Sequence, residues 1–306
     1  MARRKMGLLG RPSQDPSRSH LFRTDFATAR ALGLVKLATA VGTSWVATQQ
    51  PWWDPQLSAC DQGNLGSCVS FAGSRKRETL RLQAGHSYLR LSELWMYHEI
   101  QTKFFPTQIG QDTGAYGAQE EVIVAGRGAA FSADLPGYPG SGYPYSDTLT
   151  ALAANPPAAA FGPALFNKNI VPVSVANLSV AEMKALIAAG HLPMIGMVVC
   201  QSLENMAQGT GNVPLPQGPS DSVAGGHENL RIGFVDGTTY PNGAPLPAGA
   251  GGYWVQLNSW GSGPADWFSP NNLLYLPYTY DAAPAPDGSG PMLMDATDYA
   301  IAPTGP

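Results

Sequence analysis

The chain has 306 residues, of which 44% are hydrophobic and only 13% charged, with a formal net charge of −4. That composition excludes a solvated polyelectrolyte, a coiled coil or an acidic disordered chain, and the length suffices for two packed lobes or one large domain. The acidic balance argues against a broad basic surface for nucleic acid, because neutralising phosphates needs clustered Lys and Arg.

In chain order, residues 1–55 read as an N-terminal extension. Residues 1–30 hold Arg3, Arg4, Lys5, Arg11, Arg18, Arg23 and Arg30 against Asp15 and Asp25, a net +5 on a remainder of −9. Such an arm has an electrostatic reason to dock on its own body, or it is a solvated tail. Its opening is too short in apolar residues for a secretory signal. A helix is predicted over Thr24–Ala40, and because Arg30 and Lys36 interrupt the apolar run it is amphipathic, not a membrane span. Neither observation fixes a localisation.

Residues 56–163 read as a helical lobe. A helix is predicted from Cys68 to Leu82 with Ser67 as its N-cap, and its charges Arg75, Lys76, Arg77 and Arg81 are expected in solvent. Further helices follow Ser92 and span Ala118–Ala125. The Pro-, Gly- and Ala-rich stretch Leu135–Pro163 marks the boundary between lobes. Residues 164–306 change period: a capping box at Ser179 and Glu182 opens a helix that stops at Gly190. Strands are predicted at Pro193–Val199, Leu230–Val235, Tyr253–Asn258, Leu273–Tyr278 and Asp298–Ile301, giving a mostly antiparallel sheet or barrel.

A Cys in the first turn of a helix is a chemically specific placement, since unpaired amides and the helix dipole favour the thiolate. Before Cys68 runs Asp61-Gln62-Gly63-Asn64-Leu65-Gly66-Ser67, a loop whose amides can converge above the sulfur, with Gln62 supplying a side-chain donor. Of the five histidines only His227 follows two glycines, and Asn258 comes later, ahead of Ser259 and Trp260. Cys60, Cys68 and Cys200 are too few for a disulfide framework and leave at least one free thiol, with a single bridge still open.

The order Gln62 … Ser67-Cys68, Gly225-Gly226-His227-Glu228 and Asn258-Ser259-Trp260 resembles the papain-like cysteine peptidases, over about residues 57–301 and with features closer to bacterial members. Leu91-Ser92-Glu93, Asp112-Thr113-Gly114-Ala115 and Tyr143-Pro144-Tyr145 also look like that family. The resemblance implies an α+β fold, two-lobed, with a helical left lobe, an antiparallel β-barrel right lobe and the active site between them. It implies Cys68 as nucleophile, His227 as general base and acid, Asn258 as orienter of His227, and Gln62 with the Cys68 amide as oxyanion donors. Trp260 would shield the His–Asn hydrogen bond, with Ser67 in support. By family position Gly114, Met197, Gly225 and Glu228 would line the substrate pocket; Glu228 stands where the family usually has a small apolar residue, and is expected either to add tolerance for a Lys or Arg side chain or to be a structural Glu. The implied partner is a peptide or protein substrate, with no metal or organic cofactor. The family's helical pro-segment is not recognisable in residues 1–55, so a short blocking arm is the expectation.

Two departures stand out. Leu65 and Val69 replace the family's Cys and Trp around the nucleophile, and the gap from His227 to Asn258 is lengthened by a Gly- and Pro-rich insertion near Asp236–Gly251. The same side chains would serve an acyl transferase, and a site blocked or distorted by the arm or Glu228 would leave a peptide-binding module.

Overall fold

The first helix that matters, α2 (Cys68–Gln83), starts where the turn-rich loop 61–67 ends and runs through a stretch without Pro. It follows the short elements β1 (Thr24–Asp25), α1 (Phe26–Ala31) and β2 (Ser44–Val46). Next come α3 (Glu93–Phe104), whose N-cap Ser92 accepts the Trp95 amide at 3.0 Å, and α4 (Gly117–Arg127), ended by Gly128 at φ 77°. Short helices α5 (Leu149–Ala153) and α6 (Phe161–Ala164) lead through β3 (Pro172–Ser174) to α7 (Val180–Ala188), where Ser179 and Glu182 form the expected capping box. Then follow β4 (Met194–Cys200), α8 (Gln201–Glu204), β5 (Val223–Asp236), β6 (Gly252–Leu257), β7 (Leu273–Pro277) and β8 (Leu293–Tyr299). This computed structural model describes residues 6–9, 23–168, 170–206, 209–261 and 271–299. Arg3, Arg4, Lys5, Arg11, Arg18 and Ile301, singled out in the sequence, lie outside them.

The strands form one sheet in the order β1-β3-β8-β4-β5-β6-β7, with β2 on β5, antiparallel except for β1 on β3. Helices α2, α3 and α4 build a core of their own around Trp95, Tyr97, Ile100 and Val124, and α7 packs Met183, Leu186 and Ile187 into the sheet's core. The two-lobed α+β expectation holds, but the sheet is open, not a closed barrel: among the described residues β7 pairs with β6 and no strand joins it back to β1. The helix expected over Thr24–Ala40 ends at Ala31, because Gly33 turns the chain at φ 71°.

The largest correction concerns the charged side chains of α2. Arg75, Lys76, Arg77 and Arg81 are all buried. Arg75 is paired with Glu78 and Glu93, Lys76 with Asp298, and Arg77 donates to the Asn167 carbonyl. Consecutive helix positions point about 100° apart, so three basic residues in a row cannot share one solvent face. Here the helix lies between the lobes: Arg75, Lys76 and Arg77 meet acceptors at Glu93, Asp298 and Asn167, and Arg81 lies over the Phe131 ring. Although burial alone would raise the Asp298 carboxyl, Lys76 and His191 outweigh it and hold it down to about 2.

Candidate active site

Cys68 is the first residue of α2 and fully buried, with Ser67 at the N-cap position. Ser67 does not cap the helix through its side chain; its hydroxyl pairs with Tyr145 Oη at 2.8 Å. The thiol meets β5 at the backbone amide of Glu228, the residue after His227, and the amides of Gly7 and Val69 also favour its ionised form. Burial outweighs them, aided by the nearby Glu228 charge, and pushes the thiol up to about 12.

His227 donates from Nε2 to Asn258 Oδ1 at 2.7 Å, which leaves Nδ1 as the lone-pair nitrogen, without a partner among the described residues. Trp260 stacks on the imidazole at 4.1 Å with an interplanar angle of 27°. Burial lowers His227 to about 4 despite the opposing hydrogen bonds of Asn258 and Asn229. Histidine and cysteine are therefore both neutral at physiological pH in this state.

Gln62 is held from three sides. Its amide donates to the Ser259 carbonyl at 2.7 Å, the Ser259 hydroxyl donates to Gln62 Oε1 at 2.7 Å, and Gln62 Nε2 donates to the Leu65 carbonyl at 2.8 Å. The loop before Cys68 is thus tied to the segment that carries Asn258 and Trp260. Cys68, His227, Asn258, Gln62, Ser67 and Trp260 are brought to this one junction between α2 and the sheet.

The cleft beside it is filled by the chain's own residues 6–9. Leu8 donates its amide to the Gly226 carbonyl at 3.1 Å, Leu9 donates to the Ala115 carbonyl at 2.9 Å, and Gly7 accepts from the Ala115 amide at 2.6 Å. Gly7 packs so closely on Gly66 that a Cβ would overlap the Gly66 carbonyl. A Cβ on Gly114 (φ 80°) would strike the Gly7 carbonyl at 2.5 Å, and one on Gly225 would strike Met6 at 2.6 Å. Gly114 and Gly225 accordingly wall the groove from opposite lobes.

Behind Leu8, one row of the sheet aligns Asp295, Gly196 and Glu228 on neighbouring strands, so the three positions share a face. Gly196 leaves the notch that Leu8 Cδ2 enters, 2.9 Å from where a Cβ would stand. Met197, one residue on, points to the other face and lies in the sheet's core, its Sδ accepting from Asn229 at 3.4 Å. Gly196, not Met197, borders the arm.

Three further residues contribute contacts that the sequence did not assign to them, although Asp112 stands in a family-like segment and Arg23 in the basic arm. Asp112 (φ 53°) accepts the Gly66 amide at 2.9 Å and the Tyr97 hydroxyl at 2.5 Å, and Tyr97 Oη accepts the Gly114 amide at 2.9 Å, a relay from the loop before Cys68 to the groove wall. Asn272 (φ 57°) clamps the carbonyls of Asn258 and Cys60. Arg23 reaches the acidic row from the arm. Their partners lie far away in sequence, so no local pattern reveals these contacts, and Asn272 carries no motif signal at all. All three cysteines are free and buried, and no single bridge forms.

Comparison with solved structures gives xylellain, a cysteine protease from Xylella fastidiosa, at 20% identity and TM-score 0.66, covering 98% of both chains. A procathepsin B from Trypanosoma congolense matches at 14% identity and TM-score 0.59 over 97% of this chain and 87% of that one. The bromelain protease of Ananas comosus matches at 18% and 0.54, over 85% and 99%. No family model matches the sequence, and no curated protein does. The chain has the papain-like cysteine-protease fold.

Proposed function

We propose that the chain is a cysteine endopeptidase that cuts peptide bonds through Cys68, His227 and Asn258. The observation that carries this reading is the His227–Asn258 hydrogen bond under the Trp260 ring, on the strand that also presents an amide to the Cys68 sulfur. With Nε2 committed to Asn258, Nδ1 is the nitrogen able to take the thiol proton. The thiolate forms a carbon–sulfur bond to the scissile carbonyl, His227 passes the proton to the departing amine, and water then cleaves the thioester. The Cys68 amide and Gln62 stabilise the oxyanion, once the Gln62 side chain turns from the Leu65 carbonyl toward the bound carbonyl.

Residues 6–9 make the present state a latent one. They use the backbone groups of Ala115 and Gly226 that an extended substrate would need, and the Gly7 amide faces the buried thiol. Gly114, Gly225 and Glu228 are then the substrate-side residues, with Met197 supporting from the core.

Fluorogenic peptide hydrolysis by wild type, Cys68→Ser and His227→Ala, with folding checked by circular dichroism, tests the reading. Turnover lost in both variants supports it. A Cys68→Ser chain as active as wild type refutes it. The same triad could pass the acyl group to an amine, but no residue of the site favours that outcome over hydrolysis.

A further inference from the structure

Two carboxylates of the inter-lobe slot behind Leu8 hold one cation, and the buried Glu228 carboxyl lies beside them. Arg23 donates from Nε and Nη2 to Glu121 of α4 at 2.6–3.0 Å and from Nη1 and Nη2 to Asp295 of β8 at 2.8 and 2.7 Å. Glu228, the third member, lies across Gly196 from Asp295; its Oε2 would stand 3.0 Å from a Cβ on Gly117, one turn before Glu121. Glu228 Oε2 is buried and has no hydrogen-bond partner among the described residues. The mouth of the slot is apolar and glycine-lined, with Gly196, Gly226, Ala115 and Met294 around Leu8. Its depth is acidic and already holds a guanidinium.

Burying the Glu121 and Asp295 carboxylates is costly unless a cation pairs with them, and Glu228 beside them is pushed toward its neutral form by burial. The arm supplies that cation, and the arm also supplies the backbone that fills the groove a few ångströms away. We propose that Arg23 stands in for a substrate side chain, and that the slot formed by Asp295, Glu121 and Glu228 selects a Lys or Arg in the peptide that replaces the arm. Apolar walls would take the methylene stem and the carboxylates the charged head. Gly117 and Gly196 are part of the device, since a side chain at either position would close the slot.

This inference rests on the peptidase reading, and its test separates the two. Full-length wild type, Arg23→Gln and Arg23→Lys are treated with dipeptidyl epoxides carrying Lys, Leu or Glu at each of the two positions before the reactive carbon, and alkylation of Cys68 is followed by mass spectrometry. Loosening the arm should speed all probes alike, so the ratio between probes is the readout. In Arg23→Gln the Lys-to-Leu rate ratio at one position is expected to rise about tenfold or more over wild type, while Arg23→Lys, which keeps a cation in the slot, stays near the wild-type ratio. Adding Asp295→Asn to Arg23→Gln should remove the gain. An unchanged ratio in Arg23→Gln would show that Arg23 only anchors the arm, and would overturn the inference while leaving the peptidase reading intact. Failure of every probe to alkylate Cys68 in folded variants would sink the peptidase reading, and this inference with it.

Discussion

The Asn272 side chain donates to the Asn258 carbonyl at 2.7 Å and to the Cys60 carbonyl at 2.9 Å, so one buried amide ties the hydrogen-bond partner of His227 to the segment leading into Gln62. The clamp needs Asn272 in the left-handed region, at φ 57°. Asn tolerates that conformation better than most residues, and its amide is long enough to reach both carbonyls.

Asn272→Ala should therefore lose both bonds and strain the backbone, at about 2–4 kcal/mol of stability. Asn272→Gly should lose the bonds without the strain and fall between that variant and wild type. Denaturant midpoints measure this, and an Ala variant as stable as wild type would contradict the assignment.

The triad makes a graded prediction. Asn258→Ala leaves His227 in place but free to turn, which should lower kcat/KM by about 10²-fold. If Gln62 serves as the proposed oxyanion donor, Gln62→Ala should cost about 10²- to 10³-fold in kcat with little change in KM. Steady-state kinetics on a peptide substrate decide it, and a Gln62 effect confined to KM would place that side chain in binding.

The buried pair Lys76–Asp298 has a stability signature. Lys76→Met leaves Asp298 buried with only His191 beside it, a loss of about 3–5 kcal/mol. In wild type the Asp298 carboxyl is held at about 2, below its usual range. Its contribution is then fully present above the ordinary aspartate pKa of about 3.9 and is lost as pH falls toward the folded value. Asp298→Asn should flatten the unfolding free energy between pH 4 and 2 relative to wild type. Parallel curves would exclude Asp298 as the source.

Latency has a pH signature of its own. With the thiol held at about 12 and His227 at about 4, neither is charged between those values. Iodoacetamide should thus modify Cys68 slowly at pH 5–8 in the intact chain and faster as pH rises. Gly7→Trp, which cannot fit against Gly66, should displace residues 6–9 and bring the reactive range down toward neutrality. Identical profiles for the two chains would mean that the arm does not govern the thiol.

Much of this site is legible in the sequence because its signals are local. A Cys opening a helix after a Gly-bearing loop, a His behind two glycines and the Ser179 capping box each depend on a few neighbouring residues, and Cys68, His227 and Ser179 stand where those signals put them. What escapes notice depends on distant partners. Leu8 becomes groove-filling only through its register with Gly226, and Arg23 only through Glu121 and Asp295. Strand parity explains Met197: a one-residue shift along β4 exchanges the groove face for the core face. The α2 charges are buried because acceptors arrive from α3, β8 and the 165–167 turn, which no pattern within α2 reveals.

The most direct test of the central claim is mass-mapped labelling by a peptidyl epoxide at pH 6–7, on wild type, Gly7→Trp and the double variant Gly7→Trp/His227→Ala. The account predicts stoichiometric modification of Cys68 in Gly7→Trp, much slower modification in wild type, and none in the double variant. Folded Gly7→Trp protein left unlabelled at Cys68, or labelled equally well without His227, would contradict a Cys68–His227 catalytic pair held latent by residues 6–9.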